Sequence, residues 1–207
     1  IMCYIHDIID IANRYGFQVK ENESMSKYTT FKIGGNARVI IKATSNEGLI
    51  DILTKCKEYN VPVFVLGKGS NLLVSDKGID AVVIRLDGVF NEIKQIDSET
   101  IYCGAGVSLA KLCSFACECG LSGLEFAWGI PGSVGGAVYM NAGAYGGEIK
   151  DVISSANHID DNNIDRINKS FFYYNYCGCI NDDKLGLLFS PVTACGTPDI
   201  FGNYTEF

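Results

Sequence analysis

Apolar residues recur at Ile5, Ile8, Ile9 and Ala12, the spacing of one helix face, and Gly16 follows as a stop. The chain therefore opens with a predicted helix over Ile5 to Tyr15. A polar stretch, Lys20 to Lys27, leads into Tyr28-Thr29-Thr30-Phe31-Lys32-Ile33-Gly34-Gly35. Ala37 to Ala43 reads as a strand around Val39-Ile40-Ile41. Thr44 and Glu47 have the spacing of a capping box, and Leu49, Ile50, Leu53 and Cys56 give the next helix its inner face. Pro62 ends that pattern. Val63 to Leu66, Leu72 to Val74 and Ala81 to Ile84 are short, β-branched or aliphatic runs that predict strands.

A second lobe begins near Gly88. Ile101-Tyr102-Cys103 is strand-like and meets the turn Gly104-Ala105-Gly106. Ser108 can cap a helix carrying Leu109, Leu112, Cys113 and Ala116, closed by Gly120. A long run of small residues follows, from Gly129 to Gly147. Beyond Ile153 asparagines accumulate around Phe171-Phe172-Tyr173-Tyr174, and from Cys177 onward the periodicity is lost. The pattern divides the chain into an N-terminal helix (1–19), a first lobe (20–87), a second lobe (88–176) and a divergent tail (177–207) with no predicted order.

Composition narrows the function classes. Seventeen Lys and Arg against 24 Asp and Glu give a net charge of −7, which opposes contact with a nucleic-acid backbone. No apolar run reaches bilayer length, so no membrane partner is expected. The first residues lack the basic flank of a signal peptide, and nine cysteines form no regular framework, so a reducing, cytoplasmic setting is expected. Cys113, Cys117 and Cys119 lie close together, but no second cysteine pair or histidine cluster completes a tetrahedral site. Buried thiols are the expected reading, and no metal is expected.

Two glycine-rich segments carry the candidate chemistry. Gly67-Lys68-Gly69-Ser70-Asn71-Leu72 joins two strands, and amides in such a turn can converge on a pyrophosphate. A plain β-turn remains the alternative for this segment taken alone. It lacks the third glycine of a dinucleotide fingerprint and the Lys-Ser/Thr pair of a P-loop. Gly129-Ile130-Pro131-Gly132-Ser133-Val134-Gly135-Gly136-Ala137 has too many glycines for a helix or strand interior, at about 0.5–1 kcal/mol each relative to alanine. A backbone passing tightly against a flat ligand explains such a run; a glycine-rich packing loop is the other reading. Two such segments on successive lobes suggest one large ligand, such as a dinucleotide, lying between them.

The set Tyr28-x-Thr30-Phe31-x-Ile33-Gly34-Gly35, Gly67-x-Gly69-Ser70-Asn71-Leu72-Leu73 and Gly129 to Ala137 continuing through Met140-Asn141-Ala142-Gly143-Ala144-Tyr145-Gly146 closely resembles the UDP-N-acetylenolpyruvoylglucosamine reductase family, from about Tyr28 to Val152. The resemblance implies an α+β, two-lobed FAD-binding module of the vanillyl-alcohol-oxidase (PCMH) type, followed in the family by a substrate domain. It implies that Gly67, Lys68, Gly69, Ser70, Asn71 and Leu72, with Gly104 and Gly106, and with Gly129 to Ala137, hold FAD, and that Asn141 and Gly143 shape the flavin pocket. Tyr145 matches a tyrosine close to the substrate. No histidine lies in either glycine segment, so the implied FAD is non-covalent.

By the same resemblance, NADPH passes a hydride to the flavin, which reduces UDP-N-acetylglucosamine enolpyruvate to UDP-N-acetylmuramate, a peptidoglycan precursor. The family's arginine falls at Tyr174, where a neutral phenol supplies neither its charge nor its fork. The family's serine and glutamate motifs have no counterpart downstream. The expectation is a chain truncated or shifted in frame near Tyr174, without the last domain and catalytically impaired. A non-catalytic flavin-binding remnant and a flavin oxidase of the same fold are the rival readings.

Overall fold

The computed structural model describes residues 2–159, 164–168 and 187–189, which pack as two compact units. One runs to Asn91 and takes in Ile159 and Ile164; the other holds Glu92–His158 and the described residues from Asp165 on. The content is mixed helix and sheet throughout.

In the first unit, helix α1 (Met2–Arg14) leads into β1 (Gln18–Ser24), a 3-10 turn (Met25–Lys27), β2 (Asn36–Ala43), α2 (Asn46–Glu58), β3 (Val63–Leu66) and β4 (Ile79–Leu86). The sheet order is β1-β2-β4-β3. β2, β4 and β3 are parallel, with Ile41 opposite Ile84 and Val65 opposite Ile84, while β1 runs antiparallel to β2. Central parallel strands are covered on both faces, which is why they read as continuous apolar runs. Ile41, Val82, Val83 and Ile84 are fully buried. Burying each such side chain contributes about 1.5–3 kcal/mol.

The polar stretch Lys20 to Lys27 is in large part β1, an edge strand the hydrophobic pattern does not reveal. Its residues are all exposed or half-buried, with none buried, so no apolar face marks it. Conversely, Leu72 to Val74 is not a strand. Val74 is buried but Leu73 is exposed, and the segment is held by the Gly35 amide donating to the Ser75 carbonyl at 2.9 Å. The cap of α2 is Ser45, not Thr44: the Ser45 hydroxyl accepts from the Gly48 amide. The break between the units follows Asn91 because the 3-10 turn Gly88–Asn91 folds back on the first sheet, with the Val89 amide on the Thr44 carbonyl.

The second unit contains the hairpin β5 (Ile93–Gln95) and β6 (Ile101–Cys103), helix α3 (Leu109–Glu118), a 3-10 turn (Glu125–Ala127), α4 (Val134–Tyr139), the short hairpin β7 (Gly143–Ala144) and β8 (Gly147–Glu148), and α5 (Ile149–Val152). Ser108 caps α3 through the Lys111 amide, and Gly120, at φ +71°, closes it. Leu109, Leu112, Phe126, Val134, Val138, Ile149 and Ile153 meet in one buried core, so the glycine-rich stretch is anchored from both ends. β9 (Ser155–Ile159) lies between β10 (Ile164–Asn168) and β11 (Leu187–Phe189). β11 comes from the part of the sequence that showed no periodicity.

Candidate cofactor-binding site

The turn after β3 emerges at the carboxyl ends of the parallel strands, the edge where ligands of open parallel sheets bind. Gly67, Lys68 and Asn71 are exposed there, Ser70 and Leu72 half-buried, and Gly69 buried. Gly69 sits at φ +65°, and a side chain at this position would overlap the Tyr28 carbonyl oxygen. The Thr30 amide in turn donates to the Gly69 carbonyl at 2.9 Å. The Tyr28–Gly35 segment and the Gly67–Leu72 turn are thus locked together by their backbones. At Gly69 the close approach that excludes a side chain is to the protein's own chain.

The amides of Gly67, Lys68, Gly69, Asn71 and Leu72 donate to no backbone carbonyl among the described residues. Of these residues Gly67 and Lys68 border a cleft of about 290 Å³, which Lys27, Tyr28, Thr29, Thr30 and Arg85 also line. Lys27 pairs with Glu23 at 3.1 Å and holds the Glu23 carboxyl below its usual range. Lys27 and Arg85 were not among the residues the sequence picked out. Arg85 had a signal, a lone charge at the end of the apolar run Ala81 to Ile84.

In the second unit the glycine turns are joined in the same way. The Gly135 amide donates to the Ala105 carbonyl at 2.9 Å, and a Cβ on Gly135 would come within 2.8 Å of the Ala105 Cβ. The Val134 amide bonds to the Val107 carbonyl and the Leu109 amide to the Gly132 carbonyl. Gly104 and Gly106 flank Ala105, so their turn and the Gly129–Ala137 run are brought together. That run is a loop only as far as Ser133. From Val134 it is helix α4, which contains Gly135, Gly136 and Ala137, and the Ser133 hydroxyl accepts from the Gly136 amide. A helix interior tolerates these glycines because one of them, Gly135, must clear Ala105.

Gly129 differs. A Cβ there would meet nothing within 4 Å, and Gly132 has only Leu109 Cδ1 at 3.8 Å. Ile130 is half-buried, and Pro131, which has no amide hydrogen, is exposed. Trp128, just before them, is 60% exposed. This is the bare backbone of the run, open to a ligand.

Asn141 lies at φ 44°, with both polar atoms of its side chain engaged. Its Nδ2 donates to Glu148 at 2.6 Å, and its Oδ1 accepts from the Lys150 amide at 2.9 Å. Glu148 also pairs with the Lys150 ammonium. This brace closes the β7–β8 hairpin, whose two turn residues, Tyr145 and Gly146, both have positive φ, as a type I′ turn requires. Gly143 is confined, since a Cβ would come within 2.8 Å of the Gly147 carbonyl. Tyr145, at the tip, is 94% exposed. Tyr174 lies outside the described residues.

The cysteines contribute differently. Burial pushes the Cys113 thiol up to about 11 and it donates to the Leu124 carbonyl, while Cys117 is exposed. Among the described residues no three His, Cys, Asp or Glu side chains are placed to share a metal ion.

The polar walls of these turns fit FAD. In the first unit the amides of Gly67, Lys68, Gly69, Asn71 and Leu72 are donors of the kind a pyrophosphate needs, and in the second, taken by itself, the backbone at Gly129 has the open space a planar ring needs. A family model described as an FAD binding domain matches residues 37–163. The chain belongs to the FAD-binding domain family. This FAD-binding domain is 43% identical over 177 residues to UDP-N-acetylenolpyruvoylglucosamine reductase of Caldicellulosiruptor bescii, covering 84% of the chain and 55% of the relative. It is 46% identical over 147 residues to the protein of that name from Clostridium novyi, covering 70% of the chain and 47% of the relative. The chain spans about half the length of these curated relatives.

Among solved structures, the UDP-N-acetylenolpyruvylglucosamine reductase of Thermus caldophilus matches with a TM-score of 0.69 at 31% identity, over 89% of this chain and 64% of that one. A solvent-stable cholesterol oxidase shares the fold at 11% identity, with a TM-score of 0.63 over 87% of this chain and 38% of its own. The α+β fold of the vanillyl-alcohol-oxidase type is therefore established for this domain.

Proposed function

We propose that this chain binds FAD non-covalently and forms the flavin-holding part of an NADPH-dependent reductase converting UDP-N-acetylglucosamine enolpyruvate to UDP-N-acetylmuramate. The observation that carries the reading is the set of amides of Gly67, Lys68, Gly69, Asn71 and Leu72, which donate to no backbone carbonyl among the described residues, in a turn whose first residues border a cation-lined cleft. FAD, when bound, supplies a two-electron hydride carrier between NADPH and substrate. The chain's own residues bind and orient it: amides of the Gly67–Leu72 turn hold the pyrophosphate, and the bare backbone at Gly129 and Gly132 lies along the ring. Tyr145, held out by the Asn141–Glu148–Lys150 brace, faces the substrate side.

The two histidines, His6 on α1 and His158 on β9, both lie outside the glycine turns, which supports non-covalent binding. Hydride addition to the enolpyruvyl double bond leaves charge beside the substrate carboxylate, which needs a cation and then a proton. With Tyr174 at the position of the family's arginine, this chain by itself turns over poorly. The setting proposed is cytoplasmic peptidoglycan-precursor synthesis; among the described residues no helix is long and apolar enough to cross a membrane.

Purification with added FAD followed by desalting tests the binding. Retained flavin absorbance, released intact by denaturation, is expected; its absence refutes the reading. Flavin reduced by NADPH and left unoxidised by the enolpyruvyl substrate is the expected kinetic result. Reoxidation at a rate typical of enzymes would overturn the proposed impairment.

A further inference from the structure

We infer that Arg85, backed by the Tyr28 ring and joined by Lys68 and Lys27, is the charged grip of the first unit on a phosphate ester. Strand register places Arg85 opposite Leu66, the last residue of β3, so it stands beside the start of the Gly67 turn. Alternation along β4 puts Arg85 on the same face as Val83, whose core cluster includes Tyr28. The guanidinium lies over the Tyr28 ring at 5.0 Å, a cation–π distance.

Tyr28 is itself fixed. Its amide donates to the Met25 carbonyl at 2.8 Å, its carbonyl abuts Gly69, and its hydroxyl reaches Glu23 at 3.5 Å. Arg85 is therefore held in place before any ligand arrives, which reduces the ordering cost of binding.

Charge argues for an anion. The chain carries a net charge of −7, yet three cations gather around one cleft. Glu23 offsets Lys27, but no carboxylate pairs with Arg85 or Lys68 among the described residues. The Thr29 hydroxyl donates to the Ile33 carbonyl at 3.1 Å, leaving Arg85, Lys68, Thr30 and the amides of Gly67 and Lys68 as the donors that line the cleft. Arg can grip phosphate oxygens with two parallel hydrogen bonds, and Lys adds a point charge. The inference deepens the FAD reading, on which it rests for the identity of the ligand: the phosphate is the pyrophosphate of FAD, and a free nucleotide is the competing source.

Calorimetric titration of the full chain with ADP, FAD and riboflavin tests it. ADP is expected to bind, more weakly as salt rises. Arg85→Gln and Lys68→Gln should each weaken ADP and FAD by about tenfold and leave any riboflavin binding unchanged. Tyr28→Phe, which keeps the ring, should retain affinity, whereas Tyr28→Leu should lose it. Lys68 is exposed, so its variant folds in any case.

Equal ADP affinity in the parent, Arg85→Gln and Lys68→Gln would overturn the inference, as would FAD binding without ADP binding; the FAD reading then stands alone. ADP binding sensitive to both substitutions, with no uptake of FAD, would instead keep the charged grip and sink the FAD reading. Binding of neither refutes both.

Discussion

Single atoms separate the glycines that the fold requires from those with open space beside them. Gly69 and Gly135 have protein where a Cβ would go, whereas Gly129 has open space. Gly69→Ala, which also meets a positive φ, should destabilise the chain by about 2–4 kcal/mol, read as a lowered urea midpoint. Gly129→Ala should leave that midpoint within about 0.5 kcal/mol of the parent while weakening FAD; a large stability loss would show that the open side is structural. The run of small residues was visible in the sequence, but this division was not. Composition reports that a side chain is missing without saying what excludes it.

Thiols give a second prediction at the same scale. Burial pushes Cys56 and Cys103 up to about 12. A thiol whose folded value is raised keeps its proton better in the folded state. Its contribution is full below the unfolded value and is lost as pH rises through the folded one. Stability should therefore decline from about pH 9 toward 12, and native protein at pH 8 should react with a thiol reagent at Cys117 well before either buried cysteine.

Among elements, the cap of α4 and the brace of the β7–β8 hairpin deserve the direct tests. Ser133→Ala removes the hydroxyl that takes the Gly136 amide and should cost about 1 kcal/mol. Asn141→Ala removes both ties of the hairpin and should cost about 1–2 kcal/mol, measured as a shift in thermal midpoint. Tyr145→Phe, at an exposed tip, should leave stability unchanged. Helices α1, α2 and α3 and strands β2, β3 and β4 were legible because their apolar residues follow a period of their own. β1 was not, since an edge strand with both faces partly wet shows no apolar alternation. α4 was hidden for another reason: glycine propensity argued against a helix that tertiary packing requires. The partners of Asn141 escaped notice because its contact with Glu148 depends on a turn geometry that spacing does not encode.

For the molecule as a whole, FAD at about 100 times its Kd should add roughly 2.7 kcal/mol to the binding-competent state. For a chain of this size that raises the thermal midpoint by about 5–10 °C. Riboflavin, lacking the pyrophosphate, should raise it much less. Recognition across the molecule was legible earlier than geometry, because three short motifs in order are more specific than any one of them. The lining of the cleft came only with the fold: Arg85 reaches it from the end of parallel strand β4, and Lys27 from the 3-10 turn after antiparallel β1, whose continuation is tied to the Gly67 turn by the Thr30 amide on the Gly69 carbonyl.

Trp128 is the chain's single tryptophan and stands exposed immediately before the bare backbone of Gly129. Indole emission overlaps the near-ultraviolet absorption of an oxidised isoalloxazine. Uptake of the flavin should therefore dim this one emitter, and the protein carries its own optical gauge of cofactor loading without any added label.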